Sequence, residues 1–193
     1  MKVYRDVKYL KSLINVEFKR LDFQSSQLSP NQINAATPIF MTGLTQGDGA
    51  THRDGNSVRL KSLYFQMEFE RNATATKPGT RFRIMIIKST YNNNVLPALS
   101  DILAQSSNFM SPLNIDETAG FRVLKDQHFT VTVDKPMLSS RFRINLNHHA
   151  KYIGTSDAVS DATSGHLFLM AFVGDSANAD YFQYNSRIRY VDN

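Results

Sequence analysis

The chain of 193 residues contains no cysteine, which excludes disulfides, thiolate metal sites and cysteine nucleophiles. No continuous apolar run approaches the roughly 20 residues that a membrane-spanning helix needs, so we expect no membrane insertion. The first 15 residues, MKVYRDVKYLKSLIN, lack the apolar stretch and cleavage site of a secretory signal, so the sequence predicts no export. The 20% charged fraction is low for a disordered chain, and 13 Phe, 8 Tyr and 41% hydrophobic residues can form one sizeable core.

Motifs of catalysis are also missing from the sequence, which has no GxSxG elbow, HExxH pair, P-loop or kinase signature. The histidines are scattered without a metal-ligand spacing, at His52, His128, His148, His149 and His166. Isolated loop carboxylates at Asp48, Asp54, Asp116 and Glu117 could contribute oxygens to a Ca²⁺ site, but such groups are usually just solvated. We therefore predict a protein that is not an enzyme and that has no metal site and no cofactor.

Apolar residues recur at period two or in short unbroken runs, between clusters of Gly, Pro, Asn and Ser, which is typical of an all-β protein. Eight or nine strands indicate a sandwich or a barrel. The candidate strands are Asn15–Phe23, Thr37–Gln46, Ser57–Arg71, Thr80–Ser89, Phe121–Asp126, His128–Val133, Arg141–Asn147, His166–Val173 and Phe182–Val191.

Local patterns refine this scheme. The apolar phase slips within Ser57–Arg71, which predicts a β-bulge near Lys61 and Ser62. The segment from Leu167 to Val173 is apolar at every position, so we expect its outer face either to be covered or to meet another subunit, and favour Phe168, Met170 and Phe172 facing other copies. Helical spacing predicts a short amphipathic helix over Asp6–Asn15, and Ala98–Gln105 could carry one or two helical turns.

Positive charge is concentrated near the N-terminus, where six basic residues face only Asp6 and Glu17 and give an excess of +4 out of +5 for the chain. These candidate phosphate-binding residues are Lys2, Arg5, Lys8, Lys11, Lys19 and Arg20. A solvated helix face explains them equally well, and both interpretations stay open.

A second group of arginines alternates with apolar residues on the predicted strands, at Arg81, Arg83, Arg141, Arg143, Arg187 and Arg189. They either form a basic sheet face that binds nucleic acid or pair with acids such as Glu68 and Glu70. We favour pairing and subunit contacts.

The order of several segments resembles the capsid proteins of circovirus-like, Rep-encoding circular single-stranded DNA viruses and, more distantly, the satellite tobacco necrosis virus coat protein. The matching segments run almost from end to end of the chain: Leu13 to Lys19 with Asp22, Thr45 to Gly47, Arg53 to Val58, Arg83 to Lys88, Phe121 to Asp126, Leu167 to Asp175 and Arg187 to Asp192.

This resemblance implies a single eight-stranded antiparallel jelly roll of two four-stranded sheets, with long loops between the strands. It implies a basic N-terminal arm over residues 1–14 and a shell domain over residues 15–193. It also implies self-assembly, commonly of sixty copies (T=1), into an icosahedral virion around a single-stranded genome, here DNA, with assembly in the host nucleus or cytoplasm. The six N-terminal basic residues would lie on the interior side.

The chain departs from this family pattern in one respect, because only about fourteen residues precede the first predicted strand, where typical members carry a long Arg-rich arm. Sixty copies at +5 each carry about +300, whereas single-stranded nucleic acid carries about one negative charge per nucleotide. A kilobase-scale genome would therefore need counterions.

Two other functions fit a jelly roll, because one fold hosts many functions. A lectin-like binding module would need an aromatic groove, for which Tyr64, Tyr91 and Tyr184 are candidates, although the absence of Trp weakens this interpretation. A cupin-type metalloenzyme would need a cluster of His and Glu ligands, for which the sequence offers no convincing set.

Overall fold

The computed structural model describes residues 18–28, 37–90, 94–116, 119–174 and 180–192. Its elements, in chain order, are β1 (Phe18–Gln24), β2 (Ile39–Phe40), β3 (Ser57–Glu70), β4 (Gly79–Ser89), helix α1 (Leu99–Ile102), β5 (Phe121–Thr132), β6 (Met137–Tyr152), a 3₁₀ turn (Val159–Asp161), β7 (Ala162–Ser164), β8 (Leu167–Val173) and β9 (Tyr181–Asp192). Among the described residues, no helix is long and apolar enough to cross a membrane.

The strands form two antiparallel sheets, a five-stranded sheet of order β1-β9-β3-β6-β7 and a four-stranded sheet of order β2-β8-β4-β5. The pairing is nested: β4 pairs with β5, β3 with β6, β2 with β8 and β1 with β9. Further pairs, β3 with β9 and β4 with β8, join these ribbons into the two sheets. A long hairpin rolled up in this way is a jelly roll, so the predicted fold class is confirmed.

The main core lies between the two sheets, because alternate residues of each strand point to the same side. On β3 the inward residues are Leu63, Phe65, Met67 and Phe69, each at most 1% exposed. The ring of Phe69 lies 4.5 Å from that of Phe82 on β4, which ties the two sheets together.

A second apolar cluster covers the outer face of the four-stranded sheet. Ile102, Leu103 and Phe109, from the segment between β4 and β5, pack on outward residues of that sheet such as Met170 and Phe172. All of these side chains are at most 7% exposed. The prediction that Phe168, Met170 and Phe172 face other copies was therefore wrong, because the chain covers them itself.

Several predicted boundaries change in the structure. The pairing register shifts between Leu60 and Ser62, which confirms the bulge, and helix α1 lies within the predicted segment Ala98–Gln105. The two strands predicted on either side of Gln127 form one strand, because Gln127 pairs with Ile84 and the polar residues around it find partners. Asp126, for example, pairs with Arg83.

The remaining differences concern strand ends. Strand β2 has only two residues, whereas β6 has sixteen and is far longer than the predicted Arg141–Asn147. The short β7, which pairs with the end of β6, adds a fifth strand to the sheet expected to have four. The predicted helix Asp6–Asn15 lies within residues 1–17, outside the described residues.

Candidate nucleic-acid interface

The outer face of the five-stranded sheet carries most of its charged side chains. The buried residues of β3 point inward, so the residues that alternate with them along β3 point outward. The residues of β6, β9 and β1 that are paired with these outward positions point outward as well. Among the described residues outside the bulge, the outward acids on these strands are Asp22, Glu68 and Glu70. We name the outward basic residues the basic face: Arg20, Arg59, Arg141, Arg143, Lys151, Arg187 and Arg189.

Tyr64 lies near the middle of the basic face. It is opposite Arg143 on β6 and opposite Arg187 on β9, and directly opposed side chains have Cβ atoms about 4.5–5.5 Å apart. The Tyr64 side chain is 39% exposed, and its hydroxyl donates a long hydrogen bond of 3.4 Å to Gln66 Oε1. The register thus brings one exposed aromatic ring between two guanidinium groups.

Arg187 is held in place by the edge strand of the sheet. Its Nε and Nη2 atoms donate to the two carboxylate oxygens of Asp22, at 2.6 and 2.8 Å. These hydrogen bonds are the main reason why the pKa of Asp22 is lower than usual, so the carboxylate stays ionised. Arg20 lies 3.6 Å from the same carboxylate, and Asp22 therefore offsets part of the local positive charge.

The arginines on β6 are less constrained. Arg141 and Arg143 are exposed, and in the described part of the chain neither has a hydrogen-bond acceptor or a paired carboxylate. Arg189 lies over the ring of Phe18, with 5.7 Å between its guanidinium carbon and the ring centroid. Free guanidinium groups on an exposed face are suited to binding phosphate oxygens.

Glu68 and Glu70 form the acidic end of the same sheet face, and within the described part of the chain neither of them pairs with an arginine. Glu68 accepts hydrogen bonds from Ser139 and Gln183, and Glu70 accepts one from Gln27. The predicted pairing of strand arginines with acids is found for Arg83 with Asp126 and for Arg187 with Asp22. The two acids named as examples, Glu68 and Glu70, are not these partners.

Only two of the six N-terminal candidates are described, since Lys2, Arg5, Lys8 and Lys11 lie outside the described residues. The ammonium of Lys19 is buried and lies 2.9 Å from Asp54 and 3.2 Å from Asp192. Burial opposes its charge, but the two carboxylates outweigh burial and raise the pKa of Lys19. Lys19 therefore serves an internal ion pair and not a phosphate, which corrects the prediction, whereas Arg20 is exposed on the basic face.

The segment 94–116 covers the outer face of the four-stranded sheet, so that face is not available to bind nucleic acid. Arg83 fastens this segment, because its guanidinium forms a two-pronged pair with Asp126 and also donates to the carbonyls of Phe109 and Ser111, both at 2.9 Å. Arg83 is 3% exposed. Its charge is therefore used to hold the loop on the sheet.

The structure also bears on the alternative sites. Among the described residues, no three His, Asp or Glu side chains gather as a metal site, and Glu117 lies outside them. His148 and His149 pair with Leu60 and Arg59 and so point to opposite faces of the sheet. The tyrosine groove of a lectin-like module is not formed as proposed, because Tyr184 is 3% exposed and Tyr91 is not described.

Sequence patterns alone could have found part of the basic face. The alternation of arginine and apolar residues from Arg141 to Ile144 and from Arg187 to Tyr190 already puts the arginines on an outer surface. The position of Tyr64 between Arg143 and Arg187 was missed, since it depends on the pairing register of three strands.

Comparison with known proteins finds viral coat and capsid proteins that are similar to this chain. The coat protein of Maize white line mosaic satellite virus is 24% identical over 200 residues, which cover 97% of this chain and 88% of that protein. The capsid protein of Satellite tobacco necrosis virus 1 is 24% identical over 172 residues, which cover 86% of this chain and 84% of that protein.

Among solved structures, Desmodium yellow mottle tymovirus matches with a TM-score of 0.41 and 13% identity, covering 92% of this chain and 87% of the other. The decameric BFDV capsid protein matches with a TM-score of 0.37 and 9% identity, covering 93% and 100%. The circovirus-like assignment stays a prediction. The family description that matches the sequence, over residues 2–193, is "Satellite tobacco necrosis virus coat protein", so the chain belongs to that coat protein family.

Proposed function

We propose that this chain is the capsid protein of a small virus and packs a single-stranded genome against its basic face. The observation that carries the proposal is the family match over residues 2–193, which is joined by coat and capsid relatives that align with most of their length. A structural protein of this kind needs no catalytic residue and no cofactor.

The proposed assembly is an icosahedral shell of sixty subunits (T=1), and the virion is its location. Exposed apolar side chains on the segment between β4 and β5 suit contacts between copies, because water-exposed apolar surface is stabilised by burial. They are Val95, Leu96, Met110, Leu113 and Ile115, with exposures of 60%, 36%, 61%, 37% and 81%.

Electron microscopy and size-exclusion chromatography of the purified protein test the assembly directly. We expect closed, uniform particles whose mass corresponds to sixty chains. A protein that stays monomeric at every salt concentration and pH would refute the proposal. Particles of another mass would refute the number of subunits and leave the capsid function standing.

For the genome, we propose that residues 1–14 form a basic arm and residues 15–193 the shell domain. Strand β1 begins at Phe18 and lies at the edge of the five-stranded sheet, which is the sheet that bears the basic face. Lys2, Arg5, Lys8 and Lys11 would then bind phosphates together with Arg20 on the interior side of the shell.

Charge reversal tests the arm. We expect Lys8→Glu combined with Lys11→Glu to lower the nucleic-acid content of particles more than the particle yield, measured by the ratio of absorbance at 260 and 280 nm. The reverse result would place these residues at a subunit contact. Digestion of the extracted genome with DNase or RNase tests the prediction of DNA that the circovirus-like resemblance makes.

A further inference from the structure

The strongest unassigned feature of the surface is an open groove on the outer face of the five-stranded sheet. It has a volume of about 610 Å³, and its lining includes Tyr64, Phe23, Asp22, Asn185 and Arg187. A volume in the range of about 300–1,000 Å³ is typical of small-ligand sites. Tyr64 is 39% exposed and presents its ring on this charged face, whereas Phe23 alternates with Asp22 on the edge strand and stacks on the buried Tyr184.

The neighbours of Tyr64 supply charge on both sides. Arg143 lies directly opposite it on β6, and Arg187, braced by Asp22, lies directly opposite it on β9. On the same face of β6, Arg141 follows opposite Gln66. An aromatic ring flanked by cations binds single strands well, because bases stack on the ring while guanidinium groups bind the phosphates.

We propose that Tyr64 is a stacking platform for an unpaired base of single-stranded nucleic acid, with Arg141 and Arg143 binding the adjoining phosphates. This inference rests on the proposed function and deepens it, because it names the form of the nucleic acid and the residues that distinguish it. Bases in a duplex are already stacked on each other, so Tyr64 has nothing to offer a duplex beyond the charge of its neighbours.

A second copy of the chain is a poorer occupant of this face. In a two-fold dimer the same patch meets itself, so the seven basic residues of the basic face would meet their own copies, against only Asp22, Glu68 and Glu70 on the described strands. Repulsion between like charges disfavours that contact, whereas a polyanion is complementary to it.

The absence of tryptophan from the chain makes the first test clean. Tyr64→Trp introduces a single tryptophan fluorophore on the platform. Met137→Trp is the matched control, because Met137 is 51% exposed on the outer face of the same sheet but lies opposite Glu70 at the acidic end, six residues or about 20 Å along β3 from Tyr64.

The probe is a 20-nucleotide single-stranded oligo(dT), mixed with the 193-residue chain before assembly. We expect tryptophan fluorescence of the Tyr64→Trp variant to be quenched until the oligonucleotide saturates the site, and that of the Met137→Trp variant to change little. Equal quenching in both variants, or none in the Tyr64→Trp variant, would overturn the inference.

A second pair of variants measures affinity. Tyr64→Phe keeps the ring and should bind oligo(dT) like the original chain, whereas Tyr64→Leu should bind about tenfold more weakly. Binding of a 20-base-pair duplex should not distinguish the two variants. Equal oligo(dT) affinity for the Tyr64→Phe and Tyr64→Leu variants would mean that the face acts through charge alone and would refute the stacking platform.

The two proposals fail in different ways. If the original chain forms particles but Tyr64→Leu leaves oligo(dT) affinity unchanged, the platform is refuted and the capsid function stands. If Tyr64→Leu abolishes particle formation and leaves oligo(dT) affinity unchanged, the platform is likewise refuted and the face is a subunit contact. If the original chain forms no particles under any condition, the capsid function itself is refuted.

Discussion

A buried histidine should make the folded subunit sensitive to acid. His166 is fully buried, and its Nε2 atom lies 2.7 Å from the carbonyl oxygen of Lys151, which can only accept a hydrogen bond. Nε2 therefore carries the proton, and Nδ1 accepts from the hydroxyl of Thr42 at 3.0 Å. The Thr42 hydroxyl oxygen in turn accepts from the backbone N–H of Leu167. The neutral imidazole thus satisfies both of its nitrogens.

Burial lowers the pKa of His166 to about 4, although the hydrogen bond to Lys151 opposes the shift. In the unfolded chain the pKa of histidine is about 6.5, so the unfolded state binds a proton over a range of pH in which the folded state does not. The contribution of His166 to the free energy of unfolding therefore falls as the pH drops from 7 to 4 and changes little below that. The difference between the two pKa values corresponds to at most about 3 kcal/mol.

Urea unfolding of unassembled subunits, followed by circular dichroism between pH 7 and pH 4, measures this loss. We expect His166→Gln to remove about 3 kcal/mol of the pH dependence, since glutamine can still donate to Lys151 but does not titrate. Thr42→Val is the control: it should lower stability at every pH and keep most of the slope, because burial of His166 persists. An identical slope for His166→Gln and the original chain would refute the reasoning.

Three further predictions concern buried groups. Lys19→Met should destabilise the subunit by about 1–3 kcal/mol in thermal unfolding, since it leaves the largely buried carboxylate of Asp192 without its cation, whereas the exposed Arg20→Gln should change stability by less than about 0.5 kcal/mol; equal effects would contradict the internal role of Lys19. Phe172→Ala should cost about 3–5 kcal/mol even in unassembled subunits, because the chain's own loop buries the ring; a loss seen only in particle yield would restore the interpretation as a subunit contact. Arg83→Met should release the loop from the sheet and so speed amide hydrogen exchange in residues 99–111 roughly tenfold or more, while β3 stays protected. Unchanged exchange in the loop would show that apolar packing alone holds it on the sheet.

The fold class could be read from the sequence because strand patterns are local. Alternation of apolar and polar residues identifies a strand with one buried face, and the slip of phase in β3 located its bulge. Strand ends were less predictable. The polar residues around Gln127 suggested a boundary between two strands. Strand β5 continues through them because β4 supplies their partners, such as Arg83 for Asp126.

Some features of the candidate site could likewise be predicted from the sequence, whereas others depended on the tertiary structure. Sequence alone determined that this is an all-β, cysteine-free chain with basic residues near one end and with arginines on the outer sides of its strands, because composition and period-two patterning depend only on neighbouring residues. Tertiary structure decided which cations are free. It buried Lys19 between Asp54 and Asp192, and it placed Tyr64 between the arginines of two other strands. These outcomes depend on contacts between residues that are distant in the sequence, and the register that creates such contacts is set by packing of the whole sandwich.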